Sequence, residues 1–115
     1  EKIKLIAEKK MIFLNGLPSI IVDSDDTMDK ILKLYSISKK SFLAYNDINS
    51  NHKLQIGIPY YFVNKRNKGR VQTYIRRKEE SLWEISQIFG IKLKKLKKFN
   101  EGNLSNKIIL RKGIF

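Results

Sequence analysis

The sequence predicts an α+β chain in which one strand–helix–helix–strand unit is written twice, with a β-hairpin ahead of the first copy. Three observations carry this. "TMDKILKLYSISKKSFLAYN" (27–46) and "SLWEISQIFGIKLKKLKKFN" (81–100) share one pattern of apolar and polar positions. Each is preceded by a short run rich in β-branched or aromatic residues, as strands prefer. Asn15-Gly16 stands between two apolar runs, the strongest short hairpin signal.

In chain order, "EKIKLIAEKK" (1–10) reads as the tail of a preceding helix or a linker. "MIFLNGLPSIIV" then forms the hairpin. Pro18 has no N–H to give a ladder, so its arm is expected at a sheet edge. "SIIVD" (Ser19–Asp23) opens the first copy and "VQTYIR" (Val71–Arg76) the second. An acidic pair and a hydroxyl follow in both, Asp25-Asp26-Thr27 and Glu79-Glu80-Ser81, which suits a helix N-terminus with its free N–H groups and positive dipole end. Ser81 and Glu84 have capping-box spacing. Met28, Ile31, Leu34 and Tyr35, like Leu82, Ile85, Ile88 and Phe89, fall on one helical stripe. Ser36 or Gly90 breaks this helix, and a second follows with Phe42 and Tyr45, or Leu96 and Phe99, inward. Asn46 and Asn100 close the second helices. "LQIGIPYYFV" (Leu54–Val63) and "IILRKGIF" (Ile108–Phe115) return as strands. A full strand follows Gly57 but two residues follow Gly113, so the last strand is expected to be short or truncated. Tyr60, Tyr61 and Phe62 alternate, one toward the core and another covering the edge.

The charge of +13 is uneven. Residues 20–63 are neutral, residues 73–115 carry +7, and "NKRNKGRVQ" (64–72) adds four as a short basic linker. The abundance of Lys, Asn and Ile fits an AT-rich genome, which raises Lys without selection for charge. The chain has no Cys, hence no disulfide or thiolate site, and no run of about 20 apolar residues to span a membrane. It opens on Glu1 without Met or a signal pattern. It is therefore read as a monomeric fragment or processed form of a larger protein, with any export signal outside it.

At these residues the sequence resembles a known family. "YIRRKEESLWEISQIFGIKLKKLKKFN" looks like the lysin motif, LysM, and "IIVDSDDTMDKILKLYSISKKSFLAYN" resembles it less closely. The resemblance implies two βααβ modules, each with two helices packed on a two-stranded antiparallel sheet, at 20–63 and 73–115. Residues 1–19 form an N-terminal arm. It implies non-catalytic binding of N-acetylglucosamine-containing glycan, peptidoglycan or a chitin-like oligosaccharide, in a periplasmic or extracellular protein of the cell envelope. Such pairs occur at the ends of bacterial cell-wall hydrolases, and no cofactor or metal is implied. The groove of the family lies between the first loop and the loop after the second helix. Carried over, this pairs Asp25, Asp26, Thr27 and Met28 with Asn46, Asp47, Ile48 and Asn49 in copy one. In copy two it pairs Glu79, Glu80, Ser81 and Leu82 with Asn100, Glu101, Gly102 and Asn103. Backbone amides there would hold the N-acetyl group, with Met28 or Leu82 against its methyl. The sequence departs from the family where Asp25 and Glu79 replace the loop Gly, Asp47 and Glu101 replace a Pro, and Lys92 stands where a hydroxyl cap is usual.

Within that frame Asn46 and Asn100 are expected to close their loops by side-chain hydrogen bonds. Trp83 is expected to pack, with sugar stacking as the alternative, and His52 to be solvent-exposed. The lysines of "KLKKLKK" form a solvated face or attract phosphates and carboxylates. No catalytic constellation is visible, since the one His has no partners and the paired acids adjoin in turns. Two rival readings are a degenerate pair serving protein interaction, favoured by the acidic residues in the loop Gly position, and a basic module for nucleic acid or phosphate using Lys92–Lys98 with Arg76 and Arg77. The neutral first copy argues against nucleic acid.

Overall fold

The computed structural model describes residues 11–114; the stretch 1–10, read as a helix tail or linker, and Phe115 lie outside the described residues. β1 (Ile12–Leu14) and β2 (Leu17–Ile21) are joined through Asn15 at φ 55° and Gly16 at φ 73°, the two positive angles of a type I′ turn. β2 also pairs antiparallel with β3 (Pro59–Tyr61), so the order is β1-β2-β3 and β2 is central. The edge position expected from Pro18 is not found. Pro18 pairs with Phe13, one step out from the turn-closing Leu14–Leu17 pair, where a two-residue hairpin exchanges no hydrogen bonds. On its other side the strand register ends at Ser19↔Tyr61, and Phe62 N still donates to Pro18 O at 3.1 Å. The missing N–H therefore costs only the reciprocal bond at this last position of the β2–β3 pairing.

The first copy runs β2, α1 (Met28–Leu34), α2 (Lys39–Tyr45), β3. The second runs β4 (Thr73–Ile75), α3 (Leu82–Phe89), α4 (Leu93–Phe99), β5 (Lys107–Ile109), with β4 and β5 antiparallel. Helices of seven or eight residues are too short to persist alone, so packing must hold them. Thr27 accepts from Lys30 N, Ser38 from Ser41 N, and Ser81 with Glu84 completes the capping box. Gly90, at φ 66°, ends α3 in the left-handed conformation, and Ser36 takes φ 51° after α1.

Each copy has its own core: Ile20, Val22, Ile31, Phe42 and Tyr60 in one, Ile85, Ile91, Leu96, Ile108 and Leu110 in the other. Ile31 and Ile85, and Phe42 and Leu96, are pairs that the sequence repeat superposes. The return strands have three residues each, so β5 is no shorter than β3, and it precedes Gly113. The longer return segment of copy one instead reflects a longer loop: Tyr61 follows Asn46 by 15 residues, whereas its counterpart Ile109 follows Asn100 by nine.

Tyr60 and Tyr61 are both fully buried, against the expected alternation of core and edge. Tyr60 enters the first core, while Tyr61 points through the opposite face of the sheet toward α3 of the second copy. The first sheet is thus covered on both faces. Residues 64–72, expected as a linker, lie against the second copy. Arg66 N donates to Gly90 O at 2.7 Å, Lys92 N donates to Arg66 O at 2.8 Å, and Gly69 N donates to Leu110 O at 2.9 Å.

Candidate functional site

The two second loops are fixed by the same device. Asn46 Nδ2 donates to Phe42 O and Tyr61 O, both at 2.9 Å, and its Oδ1 accepts from Tyr61 N at 2.7 Å. Asn100 Nδ2 donates to Leu96 O and Ile109 O, both at 2.8 Å, and its Oδ1 accepts from Ile109 N at 2.8 Å. Each Asn thereby ties the end of its second helix to its return strand. A carboxylate could not donate and an apolar residue could do neither, so the position needs an amide. The fourth contact differs: Asn46 Oδ1 accepts from Gln87 Nε2 at 3.0 Å, and Asn100 Oδ1 from Asn103 Nδ2 at 2.9 Å. With these bonds made, both side chains have their polar groups occupied inside the protein.

The first loops differ in construction. In copy one Asp23 N donates to Asp26 Oδ2 and Asp25 N to Asp23 Oδ1, so Asp26 braces the turn and Asp25 is exposed. In copy two Glu80 Oε1 accepts from Arg77 N at 2.7 Å and from the Tyr74 hydroxyl at 2.6 Å. That bond to Glu80 raises the Tyr74 phenol above its usual range. Glu79 sits at φ 72°, a backbone that glycine takes freely and other residues only at a cost of about 1–2 kcal/mol. Thr27, Asp25 and Ser81 are exposed, and Met28 and Leu82 are half-buried against their own cores. In the second loops Asn49, Glu101 and Gly102 are exposed, and Asp47, Ile48 and Asn103 are half-buried. Among the described residues, the N–H groups of Thr27 and Asn49 in copy one, and of Glu79 and Gly102 in copy two, have no partner in the protein.

Asp47 is turned to another use. Its Oδ2 accepts from Leu93 N at 2.9 Å and pairs with Lys65 Nζ at 2.8 Å. Leu93 is the first residue of α4, and Lys92 supplies no side-chain cap, so the missing cap comes from the other copy. Lys65 is 3% exposed and also donates to Gln87 Oε1 at 2.7 Å and Ser86 Oγ at 3.1 Å, which uses all three ammonium hydrogens. Burial lowers its pKa, and the hydrogen bond it donates to Asp47 opposes that. Gln87 Nε2 donates to Pro59 O at 2.8 Å. The Tyr61 hydroxyl donates to Gln87 O at 2.5 Å and accepts from Asn15 Nδ2 at 3.1 Å, which also reaches Ile88 O at 2.9 Å. The hairpin turn, the first sheet and α3 are therefore one polar junction.

Trp83 packs, as expected, but onto the other copy's core. Its Nε1 donates to Asn46 O at 2.9 Å, and its ring meets His52 at 4.9 Å and Tyr60 at 6.0 Å between centroids. His52 is not the exposed loop residue expected: its Nε2 is 2.7 Å from the Tyr60 hydroxyl, and burial lowers its pKa. Tyr60 Oη also accepts from Gln55 N at 2.9 Å, which ties the His52 contact to the loop before β3. Sequence reasoning missed Lys65, Ser86 and Gln87 because an apolar stripe defines only one face of α3. The available signal was that α3 carries one charged residue, Glu84, and so has no solvated face of its own. No group of described residues could hold a metal ion.

A family model described as LysM domain matches residues 20–57 and 77–111. No curated protein matches the chain. Among solved structures the chain is similar to the crystal structure of the Bacillus cereus spore cortex-lytic enzyme SleL, at 24% sequence identity and a TM-score of 0.36. That likeness covers 84% of this chain and 23% of the other, so the chain spans less than a quarter of that protein's length.

Proposed function

The chain belongs to the LysM family, whose domains are non-catalytic modules that generally bind N-acetylglucosamine-containing glycans, and from this we propose that the pair binds peptidoglycan and anchors a larger cell-envelope protein to it. The division we propose is module one at 20–63, a connecting segment at 64–72 and module two at 73–115. Binding is assigned to the loops Asp25–Met28 with Asn46–Asn49 and Glu79–Leu82 with Asn100–Asn103. Such an anchor works outside the cytoplasmic membrane, in the periplasm or beyond.

One observation supports the loops most directly. Asn46 and Asn100 hold the two second loops in the same way, while backbone N–H groups in both loop pairs (Thr27 and Asn49, Glu79 and Gly102) stay unpartnered among the described residues. Free amides in fixed loops are what an N-acetyl carbonyl needs, and they ask little of side-chain identity. The buried junction adds a second property: the two sites move as one body. Two weak sites on one polymer gain by effective concentration only if their spacing fits, and here the protein sets that spacing. Calorimetric titration with N-acetylglucosamine tetramer, and cosedimentation with insoluble peptidoglycan at high salt, test this. Retention on peptidoglycan at about 0.5 M salt, where charge attraction is screened, is expected; loss of all binding there would leave the basic surface as the cause.

A further inference from the structure

An open groove of about 640 Å³ lies where the two modules meet. Leu43, Ala44 and the Asp47–Asn49 loop of module one form one side, and Leu93, Lys94 and Lys97 of module two form the other. It is continuous with the second loop of the module-one site, but the Asp25–Met28 loop takes no part in it. Neither module has this groove alone. Its charge is also one-sided. The Asp47 carboxylate is taken up by Lys65 at 2.8 Å and by Leu93 N at 2.9 Å. Lys94 and Lys97 are exposed and have no ion-pair partner among the described residues. Two uncompensated ammonium groups thus border a mixed apolar floor beside a loop assigned to sugar.

We propose that this groove is a subsite for carboxylate groups carried on a glycan strand, so that module one distinguishes acidic peptidoglycan from neutral N-acetylglucosamine polymer with residues lent by module two. The proposal rests on the glycan reading above and refines it. Neutral polymer offers Lys94 and Lys97 only hydroxyl and amide groups, whereas the peptide of peptidoglycan ends in free carboxylates. Exposed pairs of this kind are individually weak, and two together give a preference of about 2- to 10-fold, reduced by salt.

The test uses the full chain and three ligands: N-acetylglucosamine tetramer, a peptide-bearing disaccharide of peptidoglycan, and the same fragment with its carboxyl groups amidated. Calorimetry at low salt is expected to show the carboxylate form binding about 2- to 10-fold tighter than the amidated one. The ratio should fall to near one in Lys94→Gln/Lys97→Gln and persist in the charge-matched control Lys33→Gln/Lys53→Gln. Equal binding of the two forms, or a preference that survives in Lys94→Gln/Lys97→Gln, overturns the subsite while leaving glycan binding intact. Tighter binding of a glycerol phosphate oligomer than of the carboxylate fragment would overturn the assignment to carboxylates. Absence of binding by all three sugar ligands removes the glycan reading itself, and the subsite with it.

Discussion

Asp47 of the first module caps the helix of the second, its Oδ2 lying 2.9 Å from Leu93 N. The residue takes φ 53° to do so, a left-handed backbone that Asp tolerates better than most residues. One carboxylate thereby offsets the buried charge of Lys65 and the free N–H of α4. The relationship makes the two copies parts of one folding unit.

Asp47→Ala should therefore be far more costly than an ordinary surface substitution, about 2–4 kcal/mol, because it strands the ammonium of a lysine with no exposed side chain. Adding Lys65→Met should recover much of that loss, since the unpaired charge goes too. Urea denaturation of the single and double variants measures both.

Asn46→Ala and Asn100→Ala should each cost about 2–4 kcal/mol, with buried backbone groups left unmatched. Asn46 should be the more damaging, because the amide it leaves short of a partner, Gln87, is fully buried, whereas Asn103, which loses Asn100 in the same way, is half-buried. Thermal melts of the wild type should show one transition covering both modules, and Asn46→Ala should lower its midpoint more than Asn100→Ala.

The Tyr61 phenol is pushed up to about 12, mainly by burial. Its neutral form is favoured by folding, so the associated stability is complete below pH 10 and is lost as pH rises from 10 to about 12. The loss should reach roughly 2–3 kcal/mol. Tyr61→Phe should flatten that part of the profile, read by alkaline denaturation with phenolate absorbance.

His52 should titrate below its ordinary value of 6.5, because burial beside Trp83 favours the neutral ring. Its contribution to stability is then present above pH 6.5 and declines as pH falls through the folded-state value. Trp83→Ala should move the imidazole titration back toward 6.5, visible in its NMR shifts.

Much of the fold was legible because short-range rules decide it. Asn15-Gly16 dictates its turn, Ser81 with Glu84 its cap, and the Ile31/Ile85 and Phe42/Leu96 pairs mark two equivalent cores. What stayed hidden depends on residues distant in sequence. Pro18 reads as an edge residue until the register shows that it stands at the last position of the β2–β3 pairing, where its carbonyl accepts from Phe62 N and only one bond is lost. Lys65 reads as linker until Asp47, Ser86 and Gln87 surround it. Consecutive burial of Tyr60 and Tyr61 requires a second cover for the sheet, which one module cannot provide. In the candidate loops the Asn46 and Asn100 clamps were foreseeable from their repeat at equivalent positions. The role of Asp47 was not, since no local pattern shows that the uncapped helix at Lys92 lies beside it.

The most direct test of the account is an amide NMR titration of the whole chain with N-acetylglucosamine oligomers at high salt. Glycan binding by these loops predicts saturable shifts at Thr27 and Asn49 and at Glu79 and Gly102, with the Tyr61 and Gln87 signals undisturbed because the junction stays closed. Silence in all four loops while the lysine face of α4 responds to anions would contradict it, and would make these folded modules carriers of a charged surface instead of a glycan site.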